Sequence, residues 1–216
     1  MTALVPLGDR GFLAEFADDQ AAASWASAVS AENWPGVLDV VPAYHRVGVH
    51  ADPERINLDE LEGRLRGLIV SEFAHSEGRL IVIPTLYEGE DLQEVADQLS
   101  LDVGRVVEAH SSTAYRVRAI GFLPGFPYAG DLPACLSALP RRPSPRTRVP
   151  AGSVAIAGRQ TAIYPGESPG GWHLIGRTPF RIVDLARGYF PIRIGDRLRF
   201  VPIGRDEFEA RRGAFL

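Results

Sequence analysis

Apolar and polar residues alternate with period two in RGFLAEF (residues 10–16), AYHRVGVH (43–50), RLIVIP (79–84) and TAYRVRAI (113–120), the pattern of half-buried strands. The Ala-rich stretch 18–31 predicts a helix with Trp25 on its apolar side. Val37 to Val41 predicts a short strand that Pro42 interrupts before 43–50 resumes, so two adjacent antiparallel strands are expected. Asn57 and Glu60 form a capping-box pattern ahead of Leu58, Leu61, Leu65, Leu68 and Ile69, whose spacing marks one face of a helix ending near Phe73. Strand, helix, strand, strand, helix, strand is the split βαβ, or ferredoxin-like, order.

Residues 91–99 and 102–110 predict two short helices, the second capped by Asp102. Beyond them the runs SVAIA (153–157), TAIY (161–164), HLI (173–175), FRIV (180–183) and RLRFV (197–201) are separated by Gly and Pro turns, the spacing of an all-β barrel or sandwich, and no long helix is expected after His110. The fold class is α+β. An N-terminal ferredoxin-like α+β domain (1–80) precedes a β domain (81–216).

Composition narrows what such a chain does. With 45% apolar and 23% charged residues and a net charge of −4, it has the balance of a soluble globular protein with no general attraction to nucleic acid or anionic membrane. All 23 basic residues are Arg, which removes a Schiff-base Lys and a phosphate-loop Lys. Cys135 is the sole cysteine, so no intrachain disulfide is expected. No window approaches a membrane span and no leader pattern opens the chain, so a soluble cytoplasmic protein is expected. The five histidines show no HxxxH or HxH spacing, and no metal site is expected. His110, ending its helix, reads as a complement to the helix dipole.

Three loops carry candidate chemistry. GFLPGFPY (121–128) is too stiff to pair as a central strand and presents Phe122, Phe126 and Tyr128 as a pocket wall or as a rigid plug for the end of a barrel. RRPSPRTR (141–148) breaks both helix and regular strand and holds four arginines, of which Arg146 and Arg148 are candidates for gripping a carboxylate or phosphate; a solvated basic loop fits equally. YPGESPGGWHLIGRT (164–178) places Gly170 and Gly171 as main-chain donors, Trp172 in the pocket wall and Arg177 as a further anion ligand. His173 and Glu167 are its candidate catalytic groups. His173 also reads as a structural histidine, and Glu167 beside Ser168 makes no nucleophile and base pair.

The run GFLPGFPYAGDLP, then PRTRVPAGSVAIAG, then QTAIYPGESPGGWHLIGRTP, with PLGDRGFLAEF and VVPAYHRVGVH upstream, resembles one family. It is that of the B component of bacterial 5-oxoprolinase, also called allophanate hydrolase subunit 1 or the Kip-type histidine kinase inhibitor. The resemblance covers nearly the whole chain and implies an α+β domain followed by a cyclophilin-like β-barrel. It implies an obligate partner, the allophanate hydrolase subunit 2-type protein, and in 5-oxoprolinase a third subunit. Together these open a small amide, 5-oxo-L-proline, to L-glutamate with ATP, and the resemblance leaves open whether the nucleotide is bound by this chain or at the complex. The same family implies two alternatives: sequestration of a histidine kinase, and a carboxyltransferase module of the urea carboxylase kind. Family members usually carry a longer glycine-containing stretch where this chain has LYEGEDL (86–92).

Overall fold

The computed structural model describes residues 1–69 and 78–216, in which the chain divides into two units, Met1–Glu77 and Gly78–Leu216. In the first unit, β1 (Ala3–Pro6) and β2 (Gly11–Glu15) are followed by α1 (Asp19–Glu32), β3 (Val37–Ala43), β4 (Arg46–Ala51) and α2 (Leu58–Gly67). Phe12 and Ala14 of β2 and Val47, Val49 and Ala51 of β4 are the inward positions of the period-two pattern, and all are buried. Helix α1 starts where Asp18 accepts the Ala21 N–H at 2.8 Å and stops at Asn33, which turns left-handed at φ 48°. It buries Ala22, Trp25, Ala26 and Val29 in the same core, with the Trp25 ring 5.3 Å from Phe16.

The sheet order is β1-β2-β4-β3, antiparallel throughout. Strand β4 lies between the two strands that α1 connects, which is a split βαβ. The ferredoxin-like order is not completed as expected, because residues 79–84 do not join this sheet. The edge beside β2 is taken by β1, whose return through a four-residue turn closes far less chain than a strand beyond α2 would. Pro42 does not interrupt β3 but pairs with Val47, and β3 tolerates it because it is an edge strand. Helix α2 begins at Asn57, whose side chain accepts the Asp59 and Glu60 N–H groups, and ends at Gly67 with Leu68 extended. Ile69, expected on its apolar face, is 90% exposed. The expected end near Phe73 lies outside the described residues.

The second unit contains β5 (Leu80–Thr85), α3 (Leu92–Gln98), α4 (Val103–Ser111), β6 (Ala114–Ile120), β7 (Pro127–Gly130), a 3-10 turn (Ala134–Leu136), β8 (Arg146–Val149), β9 (Ser153–Ala157), β10 (Gln160–Ile163), β11 (Ser168–Gly170), β12 (His173–Arg177), β13 (Arg197–Pro202) and α5 (Arg205–Arg211). Seven strands form one mixed sheet in the order β12-β9-β10-β7-β6-β13-β5, with β5 parallel to β13 from Leu80↔Arg197 to Thr85↔Pro202. Strand β5 belongs here because Ile83 is buried in this unit's core with Leu198 and Phe200 of β13. The sheet nearly closes into a barrel where Leu86, just past β5, exchanges two 2.9 Å backbone hydrogen bonds with Arg177 at the end of β12. A side chain at Gly176 would meet the Leu86 carbonyl oxygen at 2.8 Å, so the seam depends on a residue without Cβ. Residues 86–92 thus cap the joint: Asp91 N donates to Leu174 O at 2.9 Å and Gly89 N to Ile175 O at 3.2 Å.

Several expectations change here. Pro127–Gly130 is strand β7 at the centre of the sheet, tolerated because Pro127 is the first strand residue, where a missing N–H costs least. Arg146–Val149 pairs with Ser168–Gly170 as a small two-stranded sheet despite the neighbouring prolines. FRIV forms no strand, since Arg181 makes an isolated bridge with Phe215. His110 is fully buried, and burial lowers its pKa to about 3, so it is neutral and offers the helix dipole no charge. Its Nδ1 lies 2.7 Å from the Tyr87 hydroxyl and its Nε2 2.9 Å from Thr161 Oγ1. Because Thr161 spends its proton on Ala155 O, the imidazole carries hydrogen on Nε2 and accepts the Tyr87 proton on Nδ1.

Candidate functional site

Strand β7 and the loop before it bring Phe126 and Tyr128 beside Tyr164, which follows β10, and Trp172, which precedes β12. Phe126 is the hub: its ring lies edge-on to Tyr128 at 4.9 Å, Tyr164 at 5.2 Å, Trp172 at 5.8 Å and the exposed Phe122 at 5.4 Å. Edge-to-face packing of this kind fixes ring planes and so gives the wall a definite shape. These rings, with Arg141, Arg142, Pro145, Pro169, Gly170 and Gly171, enclose a cavity of about 280 Å³. It is the size and composition of a small-molecule site, apolar with a few polar groups at its edge.

Of the sequence-predicted residues, the cavity gathers Phe126, Tyr128, Trp172, Gly170 and Gly171. Gly170 has a local reason as well. A Cβ there would lie 2.3 Å from the Tyr164 hydroxyl, so glycine lets that phenol tuck beneath the 170–172 backbone. Burial pushes the Tyr164 and Tyr128 phenols above their usual range, and the Arg141 charge offsets part of that push on both.

The arginines are distributed differently from the expectation. Arg146 donates to Asp91 Oδ1 at 2.5 Å and to Glu90 at 3.2 Å, and the same Asp91 oxygen takes Arg142 Nη1 at 2.8 Å. Asp91 Oδ2 accepts the Leu174 N–H at 2.7 Å, so this buried carboxylate ties helix α3, the 142–146 loop and β12 together. Its hydrogen bond raises the Arg146 pKa, with burial opposing. Arg148 pairs with Glu167 at 2.7 Å on the surface. Arg177 lines a second cavity of about 320 Å³ with Arg181 and Arg212, and its Nε donates to Ala151 O at 3.1 Å. His173 is buried on β12 with Nε2 2.9 Å from Pro140 O, away from the aromatic cavity's lining. Among the described residues no group of His, Cys, Asp and Glu is arranged to hold a metal ion.

Sequence reasoning missed Arg141. Its guanidinium stands over the Trp172 ring at 6.0 Å, a cation–π distance, and it lines the cavity with no carboxylate partner among the described residues. The signal available was its place at the start of the Arg-Pro run, a few residues ahead of the arginines chosen.

The fold and cavity define an α+β protein in which a nearly closed barrel-like sheet presents an aromatic, arginine-edged pocket. Residues 2–190 match the family described as carboxyltransferase domain, subdomain C and D, and the chain belongs to that family. It is 44% identical over 183 residues to the B component of 5-oxoprolinase from Escherichia coli O157:H7, an alignment that spans 82% of this chain and 84% of that protein. The crystal structure of TTHA0988 superposes with a TM-score of 0.81 at 41% identity over 90% of this chain, and the chain spans 40% of that longer one. The Kluyveromyces lactis urea carboxylase shares the fold alone, with a TM-score of 0.73 at 18% identity over 96% of this chain and 22% of that one.

Proposed function

We propose that this chain is a subunit of an ATP-dependent 5-oxoprolinase and that the aromatic cavity receives the lactam. The observation that carries the reading is the 44% identity, over most of both chains, to a protein named as a component of 5-oxoprolinase. The reaction takes 5-oxo-L-proline, ATP and two waters to L-glutamate, ADP and phosphate. A lactam is a poor electrophile, so coupling to ATP supplies the driving force. The pocket's contribution is to hold a small ring against aromatic faces.

The cyclophilin-like description fits the nearly closed sheet, and the two domains are read as meeting within about ten residues of position 80, ahead of β5. The companion is an allophanate hydrolase subunit 2-type protein, joined by a third subunit, in the cytoplasm. Among the described residues no helix is long and apolar enough to cross a membrane. ATP fits this chain poorly. It has no lysine and no phosphate loop, and its Arg142, Arg146 and Arg148 are engaged with carboxylates. We therefore assign nucleotide binding to the complex and route no step of it through these residues. Glu167 and His173 lie outside the cavity's lining, so we assign them no proton transfer there.

The test is to co-purify the chain with the products of its neighbouring genes and to measure ATP hydrolysis. Stimulation by 5-oxoproline and formation of glutamate is the expected result. Stimulation by urea or allophanate instead would move the chain to carboxyltransferase chemistry, and no stimulation by 5-oxoproline would overturn the reading.

A further inference from the structure

A pocket lined by five aromatic rings needs something else to orient a small polar ligand, and the candidates are its two arginines. Arg142 is spoken for, with Nη1 2.8 Å from both Asp91 and Glu94. Arg141 is not: its guanidinium meets the Trp172 face and no carboxylate among the described residues. A guanidinium left without a counter-ion at the pocket's edge is available to an anion bound there, and its fork matches the geometry of a carboxylate.

The loop that carries Arg141 is held on both sides. His173 Nε2 donates to Pro140 O at 2.9 Å, and Arg142 N donates to Gly171 O at 2.7 Å. One residue earlier, Gly158 N donates to Leu139 O at 2.6 Å. The backbone at 139–142 is therefore pinned to β12, to the residue before Trp172 and to the β9–β10 turn. From this pinned backbone the Arg141 side chain reaches the cavity's edge beside the Trp172 ring. His173, in this arrangement, is a positioning residue for the 140–142 loop. The Arg141 charge also reaches inside, since it acts on both Tyr128 and Tyr164.

From this geometry we propose that Arg141 is the carboxylate anchor of the cavity, selecting a small cyclic amide that bears a carboxylate over the same ring without one. The proposal rests on reading the cavity as the 5-oxoproline site. The ring would lie against Trp172, Tyr128 and Phe126, with its carboxylate turned to the mouth where Arg141 stands.

Calorimetric titration of the assembled complex separates this from the broader reading, with 5-oxoproline and 2-pyrrolidinone, the same lactam lacking the carboxylate, as probes. The wild type is expected to prefer 5-oxoproline. Arg141→Met should weaken 5-oxoproline by about 10- to 100-fold, the scale of a lost charge-assisted hydrogen bond, and leave 2-pyrrolidinone unchanged. Arg141→Lys, which keeps the charge without the fork, should recover part of the loss. Because Arg141 is exposed, neither variant is expected to lower Tm. An unchanged affinity in Arg141→Met, an equal loss for both probes, or no binding of 5-oxoproline to the wild-type complex would overturn the proposal. If Arg141-dependent binding persists while 5-oxoproline fails to stimulate ATP hydrolysis, the anchor stands and the 5-oxoprolinase reading falls.

Discussion

Arg146 and Asp91 share a 2.5 Å hydrogen bond across 55 residues of sequence, and the same Asp91 carboxylate holds Arg142 and the backbone of Leu174. An arginine that sequence alone offers to a substrate anion is engaged through Nη2 by a buried aspartate of its own chain, while its buried Nη1 has no partner. The pair holds one side of the aromatic cavity, because the Asp91 partner Arg142 lines it.

Asp91→Ala should therefore be among the most destabilising single changes in the second unit. It leaves the buried Leu174 N–H without an acceptor and takes the buried carboxylate from Arg142 and Arg146, which keep only the exposed Glu94 and Glu90, a loss of about 3–5 kcal/mol by comparison with broken buried pairs. Arg146→Ala should cost less, because Asp91 retains Arg142. Urea denaturation of the two variants checks the order.

The surface pair Arg148–Glu167 makes the opposite prediction. Both side chains are more than half exposed, so Arg148→Ala or Glu167→Gln should change stability by about 0–1 kcal/mol. A Tm shift in either variant as large as that of Asp91→Ala would contradict this.

Adjacent glycines should respond unequally. Gly170→Ala puts a methyl 2.3 Å from the Tyr164 hydroxyl, whereas at Gly171 the nearest atom, of Pro145, is at 3.5 Å. Gly170→Ala is expected to destabilise by about 1–3 kcal/mol and to disturb the pocket, with Gly171→Ala close to neutral. Thermal unfolding and ligand titration of both variants read the contrast.

His110 gives the fold a pH dependence with a definite sign. Its folded pKa of about 3 lies below the ordinary value of 6.5, so the unfolded chain takes up the proton first as pH falls. The contribution is fully present above pH 6.5 and is lost downward toward pH 3, at about 1.4 kcal/mol per pH unit for this group. NMR of the imidazole nitrogens should show the neutral Nε2–H form persisting well below pH 6.5. Tyr87→Phe, which removes the proton donor to Nδ1, should destabilise by about 1–3 kcal/mol.

Period and punctuation made most elements readable: Asp18, Asn57 and Asp102 cap the helices they precede, and the runs at 113–120, 153–157 and 197–201 are strands. Failures came where pairing is decided across long distances. Ala3–Pro6 is too short and Pro-terminated to announce itself, yet a tight turn delivers it to β2. The run at 79–84 carries no mark saying which sheet it joins; the match of Ile83 to Leu198 and Phe200 decides that. In the cavity the aromatics were visible because Pro and Gly isolate them from strand alternation. The ion-pair partners of the arginines were not, since Asp91 and Glu94 lie about fifty residues upstream in a helical segment that reads as ordinary surface.

The two backbone hydrogen bonds between Leu86 and Arg177 also limit how a companion can attach. Where those bonds join the ends of β5 and β12, the outward N–H and C=O groups are already consumed, so a foreign strand finds no template at that joint to extend the seven-stranded sheet. Recognition there has to be made with side chains and loops. The surfaces to vary first in mapping a contact with a companion protein at that joint are thus its loop residues rather than the main chain of Leu86 and Arg177.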